Sequence, residues 1–393
     1  MSTKKKIGII TNWETNDNYG QQLQCWALQH FLRERGYDAF LIRQYAWPSR
    51  WNQKKKGVKR IKQLVKNSLA SFLYFTKLAY RPFFYKRFAF CLDVEACRRL
   101  FPLFRVEHLQ MSKLYNTPEM LMENPPEADV YITGSDQIWN YELDEGPLKN
   151  YFLQFGNSKV KRIAYAPSFG HSSIPEEAEN RIKQYLKIFN AISIRESSMV
   201  QVIKDMGYNA TAVLDPTMLL EAKDYLQLSS NIKGKESVFI YSMNYASSDD
   251  ISFGEIEEFA KCQNLPIIVT PGSGYLPARE LFEGVEYSYA TISQWIQHIA
   301  NAKMVVTASF HGIVFAILFH RPFIYTPLKG EHANSNNRVL DLLNNLGLRE
   351  WVWDGSRLNN DDFIKQIDWE KVDVKLGKLR QYSITYLLNA ING

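Results

Sequence analysis

The stretch IGIITNWETNDNYGQQLQCWALQHFLRERGYDAFLIR, residues 7–43, decides the fold. It begins with the apolar run Ile7–Thr11 and continues through a polar loop into a helical pattern. The apolar side chains of that pattern share one face, at Leu23, Ala27, Leu28, Phe31 and Leu32. Gly36 ends the helix, and Asp38–Arg43 is the next predicted strand. A strand, loop, helix and strand in this order are typical of the start of a doubly wound α/β domain.

The alternation of strands and helices occurs twice along the chain. The first set of further strands is predicted at Asp129–Thr133, Arg162–Ala166, Ala191–Arg195 and Thr211–Leu214. The second set is predicted at Ser237–Ser242, Pro266–Thr270, Lys303–Thr307 and Phe323–Thr326. The polar stretch 229–236 is the predicted linker. We therefore expect two Rossmann-like domains facing across a cleft, residues 1–228 and 229–393, with a closing helix over Val374–Ala390 in the second.

A basic, aromatic segment over about 47–118 interrupts the first domain and is predicted to be a helical insertion. Between Arg50 and Arg99 there are fourteen Lys/Arg and two acids, a charge of +12 in a chain whose net charge is +6. One interpretation is an element that contacts an anionic membrane surface with lysines and aromatic rings. The other is an insertion that packs on its own domain and exposes a solvated basic face. No nucleic-acid-binding module accompanies the charge, so no nucleic-acid partner is predicted.

Composition places the chain among soluble globular proteins. At 393 residues it exceeds one ordinary core, and its 46% hydrophobic and 22% charged residues are usual for such proteins. The four cysteines are scattered without a CxxC pair, which predicts a reducing compartment and no structural zinc. The sequence has no apolar leader after Met1 and no run of about 18 apolar residues. A cytoplasmic protein is expected, with the membrane's inner face as a candidate location.

The segment Val305–Val314 contains a Ser-x-His-Gly turn between an apolar strand and an apolar helix. A turn of this kind sits where open α/β sheets bind ligands, and the amides of the new helix can face an anion. His311 is the side chain best suited to move a proton near neutral pH. The alternative is that His311 is a helix-capping or core histidine.

Four polar loops follow predicted strands and are expected to meet at one crevice: Asn16–Gln21, Gly134–Asn140, Ser193–Ser197 and Ser309–Gly312. The sequence contains no GxGxxG, Walker, HExxH or GxSxG motif, which disfavours dinucleotide, kinase-type and serine-hydrolase functions. The loops offer an arginine, a histidine, an aspartate, hydroxyls and helix N-termini. This set suits a small anionic substrate and proton transfer, with neither metal nor cofactor.

Taken together, the loops resemble the polysaccharide pyruvyl transferase family. The matching segments, in order, are Asn18–Gly20 (NYG), Asp129–Asn140 (DVYITGSDQIWN), Ala191–Ser197 (AISIRES), Val213–Leu219 (VLDPTML) and Thr307–Gly312 (TASFHG). The resemblance implies a GT-B-like fold, phosphoenolpyruvate as donor and a sugar hydroxyl pair as acceptor. It implies a cyclic pyruvate ketal as product, on a surface polysaccharide or its lipid-linked or nucleotide-linked precursor.

The predicted donor site follows from the charges of phosphoenolpyruvate. Arg195 is the first choice to bind its carboxylate or phosphate, and the alternative is an ion pair with Glu196 or another acid. The Gly312 amide is predicted to hold one anionic oxygen, and Ser309 and His311 are predicted to bind the donor as well. Some family members carry a basic residue where this chain has Phe310. Two other cations are candidates to replace that contact, Lys329 and Arg338.

The predicted chemistry uses two further side chains. His311 is the candidate general acid, and Asp136 is the candidate base for the sugar hydroxyl, with an Asx turn or helix cap as its alternative. Other residues are predicted to bind the acceptor: Asp17, Asn18, Tyr19, Gly20, Ser135 and Trp139. Trp139 and Trp13 offer stacking faces or belong to the core. Asp215-Pro216-Thr217 is predicted to be a structural turn.

Two competing functions stay open from the sequence. A nucleotide-sugar glycosyltransferase shares the two-domain cleft, and the loop 271–274 is the one candidate here for nucleotide contacts. A non-catalytic glycan-binding protein at the membrane face is favoured by the basic insertion and disfavoured by the Arg195, His311 and Asp136 set.

Overall fold

A computed structural model describes residues 4–44, 98–171, 173–272, 281–353, 355, 358 and 367–393. Two separate parallel sheets organise the chain. Residues 45–97, which carry most of the predicted basic insertion, lie outside the described residues, so the membrane interpretation stays a prediction. Residues 111–115, predicted within that insertion, are instead a strand of the first sheet.

The first sheet has seven strands with helices between them. Its elements are β1 (Lys6–Ile10), α1 (Tyr19–Glu34), β2 (Asp38–Gln44), α2 (Phe101–His108), β3 (Met111–Tyr115), α3 (Pro118–Glu123), β4 (Val130–Thr133), α4 (Glu145–Tyr151), β5 (Lys161–Ala164), α5 (Glu176–Leu186), β6 (Ala191–Ile194), α6 (Ser198–Asp205) and β7 (Thr211–Ala212). The short 3-10 turn Pro216–Met218 and helix α7 (Ala222–Leu226) lead out of this domain.

The second sheet has five strands. Its elements are β8 (Ser237–Ser242), α8 (Phe253–Cys262), β9 (Ile267–Pro271), β10 (Glu286–Tyr287), α9 (Ile292–Ala300), β11 (Ala302–Thr307), α10 (Phe310–Leu318), β12 (Phe323–Tyr325), α11 (Asn337–Leu346) and α12 (Trp369–Asn392). Every residue of β8 and β9 is buried, as expected for parallel strands covered on both faces.

The strand order follows the same pattern in both sheets, although the first sheet has two more strands than the second. The first runs β3-β2-β1-β4-β5-β6-β7 and the second β10-β9-β8-β11-β12, all parallel. In each, the order reverses beside the first strand, which is the doubly wound arrangement with a ligand crevice at the reversal. The prediction of two Rossmann-like domains is confirmed, and the crevices lie at the ends of β1 and β4 and of β8 and β11.

Aromatic packing joins the two domains near these crevices. Tyr19, at the start of α1, stacks on Trp295 of α9 with ring centroids 5.2 Å apart and planes 6° apart. Tyr225 packs edge-on against Phe315 of α10 at 4.7 Å. A continuous core therefore crosses the boundary and holds the carboxyl ends of the two sheets against each other.

Helix α12 returns from the second domain to the first. Near its start, Lys375 donates to the carbonyl of Leu346 in α11 at 3.1 Å. Further along, Arg380 donates to the carbonyl of Met218 at 2.7 Å, and Ser383 accepts from the amide of Leu214 at 3.0 Å. The helix thus clamps the segment after β7. None of the described helices is both long and apolar enough to span a bilayer.

Candidate active site

A buried carboxylate lies at the centre of the site, and it belongs to Asp215. Its Oδ1 accepts from the amide and the hydroxyl of Thr217 at 3.0 and 2.6 Å. Its Oδ2 accepts from the hydroxyl of Ser135 at 2.6 Å and from Nη1 of Arg195 at 3.2 Å. The predicted structural turn is present, and the same aspartate also joins the loops after β4, β6 and β7.

The environment of Asp215 keeps it ionised. Burial alone would raise its pKa, but the facing His311 and Arg195, together with the Ser135 hydroxyl, outweigh burial and hold the pKa well below its usual value. Asp215 is therefore a fixed anion at neutral pH.

Arg195 follows β6 and is almost wholly buried. Besides Asp215, its Nε pairs with Glu196 at 3.3 Å, and its guanidinium lies 4.6 Å from the ring of Phe310. Burial would lower the pKa of Arg195, but Glu196, Asp215 and Asp136 together raise it. Its Nη2 is buried without a hydrogen-bond partner. The predicted ion pair with Glu196 is therefore present, and one N–H group is still left for a ligand.

His311 lies in the first turn of α10 and is 7% exposed. Its Nε2 is 3.6 Å from Oδ2 of Asp215, which is longer than a hydrogen bond, and this nitrogen has no hydrogen-bond partner. Ser309 caps the helix by accepting from the amide of Gly312 at 3.3 Å. The Gly312 amide is predicted to bind an oxygen of the donor substrate. In the structure this amide is already occupied by the helix cap.

A small cavity of about 50 Å³ lies beside Arg195, and Asp215 also lines it. Arg195, Phe310 and Arg338 line it together with residues of α11 and α12. Nε of Arg338 is buried without a partner, and burial and the charge of Arg195 lower the pKa of Arg338. Lys329, by contrast, is exposed and makes no ion pair with the described residues. Of the two predicted replacements for the missing cation, Arg338 lines this cavity and Lys329 does not.

Asp136 lies at the switch point of the first sheet in an unusual backbone conformation. Its φ is +85°, and its carbonyl accepts from the amides of Ile138 and Ser168, each at 2.8 Å. Its side chain accepts from Nδ2 of Asn12 at 3.1 Å. The observed partner is therefore a neighbouring loop, and not the turn or helix amide of the alternative interpretation.

The loop before α1 places the predicted acceptor residues in different settings. Asn18 caps α1 by accepting from the amide of Gln21 at 3.0 Å, and Asp17 accepts from the hydroxyl of Thr15 at 3.1 Å. Gly20 lies directly against the ring of His311. Ser135 is buried and its hydroxyl donates to Asp215, so this hydroxyl supports the ionic cluster.

Two predicted acceptor residues are corrected by the structure. Tyr19 is fully buried. Its hydroxyl donates to the carbonyl of Ala290 at 2.6 Å and accepts from Arg99 at 2.7 Å. Trp139 is also fully buried and stacks on Phe152 at 4.4 Å. Neither ring can meet a sugar, because both are enclosed by the cores that the strands build. Trp13 is a core residue too, with Nε1 donating to the carbonyl of Gln44 at 2.8 Å.

Three participants were missed from the sequence: the central Asp215, and Asn12 and Tyr151 beside Asp136. The one available signal for Asp215 was an acidic residue directly after an apolar strand, within VLDP. Tyr151 gave no signal, because it is distant in sequence and contacts Asn12 only through the fold. The described residues contain no cluster of three metal-ligating side chains.

The chain is similar to the glycotransferase of kitacinnamycin (12% identity, 98% of each chain covered, TM-score 0.47). It is similar to the UDP-GlcNAc 2-epimerase of Methanocaldococcus jannaschii (11% identity, 97% of this chain and 100% of that chain, TM-score 0.46). It is also similar to MurG of Acinetobacter baumannii (8% identity, 99% of each chain, TM-score 0.44).

Among curated proteins, none matches this sequence significantly. A family model described as polysaccharide pyruvyl transferase matches residues 18–327, a range that includes Asp136, Arg195, Asp215 and His311. The chain belongs to the polysaccharide pyruvyl transferase family.

Proposed function

We propose that this protein transfers pyruvate from phosphoenolpyruvate to a pair of sugar hydroxyls and so forms a cyclic pyruvate ketal. One observation carries the proposal. Arg195 and Asp215 from the first domain meet His311 from the second in one buried cluster. Within it, Nη2 of Arg195 and Nε2 of His311 have no hydrogen-bond partner. Buried groups of this kind are normally satisfied, so a polar ligand is the natural partner.

The donor is assigned to the side of the cluster where Arg195 and Arg338 line the cavity. Each guanidinium keeps a buried N–H without a partner, and a carboxylate or phosphate oxygen accepts from such groups in a charge-assisted hydrogen bond. Asp215, which also lines the cavity, lies 3.6 Å from Nε2 of His311, so a donor bound in the cavity is close to that imidazole. Phe310, in place of a basic residue, supports Arg195 by stacking beneath it.

The reaction balances with groups already present. A proton from His311 goes to the methylene carbon of the enol phosphate and leaves a cationic centre at C2. The first sugar hydroxyl attacks C2 and loses its proton to Asp136. The C2–O bond to phosphate then breaks, and the second hydroxyl closes the ring. The two sugar hydroxyls lose two protons. One of these makes up for the proton that His311 gives to the methyl group, and the other leaves with the phosphate.

Asp215 and Asp136 have different tasks in this scheme. Asp215, fully buried and held by four hydrogen bonds from Ser135, Arg195 and Thr217, is the anion that a protonated His311 faces. Asp136 is only partly buried, so its carboxylate can meet a sugar hydroxyl. General acid–base catalysis of this kind contributes a factor of about 10²–10⁴ per group. An acceptor linked to a lipid, and membrane contact through residues 50–99, stay predictions.

The test combines turnover with binding. The protein is incubated with phosphoenolpyruvate and a panel of galactose- and mannose-type acceptors, and phosphate release is followed together with the ketal methyl signal by proton NMR. Both signals are expected with at least one acceptor. Thermal stabilisation should be seen with phosphoenolpyruvate and not with UDP or GDP. Stabilisation by a nucleotide alone would support a glycosyltransferase instead.

A further inference from the structure

A chain of two hydrogen bonds leads from the interior of the first domain to Asp136. The hydroxyl of Tyr151, at the end of α4, donates to Oδ1 of Asn12 at 2.9 Å. Nδ2 of Asn12 donates to Oδ2 of Asp136 at 3.1 Å. Asn12 and Asp136 follow β1 and β4, the adjacent strands at the switch point of the sheet.

The direction of these two hydrogen bonds is fixed by the chemistry of the side chains. A carboxylate can only accept hydrogen bonds, so the amide nitrogen of Asn12 must face Asp136 and its carbonyl oxygen must face Tyr151. Tyr151 must then donate. Burial, and after it the negative charge of Asp136, raise the pKa of Tyr151, so the phenol keeps its proton over the whole working range of pH. The three side chains therefore have a single consistent arrangement.

The backbone of Asp136 is held as firmly as its side chain. A φ of +85° is rare for a residue other than glycine, and two amides bonded to its carbonyl maintain it. The hydroxyl of Thr11 donates to the neighbouring carbonyl of Ser135 at 2.5 Å. Among the described residues, Asn12 alone donates a hydrogen bond to the carboxylate of Asp136, which leaves Oδ1 for a substrate hydroxyl.

We infer that Asn12 and Tyr151 are positioning residues that aim Asp136 at the acceptor hydroxyl. The inference rests on the proposed function, because it gives Asp136 the role of base. Neither residue touches substrate in this scheme. Tyr151 acts on Asn12, and Asn12 acts on Asp136. A misaligned reacting group costs up to about a hundredfold in rate, so each loss should be visible in turnover.

The kinetic test uses Tyr151→Phe, Asn12→Leu and the double variant. The control is Tyr131→Phe, which removes a hydroxyl bonded to the carbonyl of Pro126 at 2.5 Å, outside the chain of contacts. Turnover should fall about tenfold to a hundredfold in each single variant, while the KM for phosphoenolpyruvate stays within about twofold. The double variant should be no slower than Asn12→Leu. Wild-type turnover in Tyr151→Phe, or losses that multiply, would overturn the inference.

A second arm needs no activity, so it separates this inference from the proposed function. Protein labelled with ¹⁵N-asparagine gives a side-chain amide signal for Asn12, assigned by its loss in Asn12→Leu. Asp136→Asn and Tyr151→Phe should each move that signal, and Tyr131→Phe should not. An unmoved signal in both variants overturns the inference even if ketal formation is found. A moved signal supports the contacts even if ketal formation fails, in which case the proposed function is what has been lost.

Discussion

The imidazole of His311 lies directly on Gly20, although the two residues belong to opposite domains. A Cβ atom at Gly20 would lie 2.1 Å from Nδ1 and 2.4 Å from Cβ of His311. The backbone of Gly20 is helical and needs no glycine for its own sake. The glycine is required because only a residue without a side chain lets the histidine approach α1 so closely.

Gly20→Ala should therefore displace His311. The clash involves the base of the histidine side chain, so relaxation must move the backbone of α10 or separate the domains. We expect a loss of about 1–3 kcal/mol in stability and at least a tenfold loss of turnover. Gly254→Ala is the matched control, since Gly254 is also the second residue of a helix and its Cβ would meet nothing within 4 Å. Denaturant titration measures the stability and the phosphate-release assay measures the turnover of each variant. Equal stability and turnover in Gly20→Ala and Gly254→Ala would contradict the contact between Gly20 and His311.

His311→Gln tests the acid. Glutamine keeps a polar side chain of similar size but cannot deliver a proton to carbon, so turnover should fall by about 10²–10⁴. The affinity for phosphoenolpyruvate should change only a few-fold, as measured by calorimetry. The control is His298→Gln, since His298 is a half-buried histidine on α9 that is bonded to Ser288 at 2.9 Å. Normal turnover in His311→Gln would remove this residue from the chemistry.

Arg338→Met should separate binding from stability. Burial and the charge of Arg195 disfavour the charged form of Arg338, so its removal should not lower the melting temperature. Loss of a charge-assisted hydrogen bond should raise the dissociation constant for phosphoenolpyruvate about tenfold to a hundredfold. Arg349→Met, at an exposed position, is the control. Unchanged affinity in the calorimetric titration would exclude Arg338 from the donor site.

Asp215→Asn should change the pH dependence of stability. The pKa of Asp215 is lower in the folded protein than in the unfolded chain, where it is about 3.9. The unfolded chain therefore takes up a proton first as the pH falls, and the contribution of Asp215 to stability is lost progressively below about pH 5.

The variant should be destabilised by on the order of 3 kcal/mol at pH 7, because Arg195 loses a buried anionic partner. Its melting temperature should then fall less steeply than that of the wild type between about pH 5 and 3. Asp205→Asn, at an exposed site on α6, should keep the wild-type slope. Parallel curves for Asp215→Asn and the wild type would refute the assignment of Asp215 as a buried anion.

The architecture was readable from the sequence because strand and helix periodicity is local. The pattern in residues 7–43 predicted β1, α1 and β2, and its repetition predicted two doubly wound domains. Loops after parallel strands meet at one edge of a sheet, so strand order predicted Arg195 at the ligand edge of the first sheet and His311 at that of the second.

The side-chain partners did not follow, because burial depends on contacts between segments far apart in the chain. Tyr19 looked like a loop residue free to bind sugar, and packing on Trp295 across the domain boundary enclosed it. In the sequence, Lys329 and Arg338 were equivalent candidates. In the fold, α11 places Arg338 at the cavity, whereas Lys329 is exposed to solvent. Asp215 resembled an ordinary turn residue, and only the meeting of three loops made it the shared anion of the site.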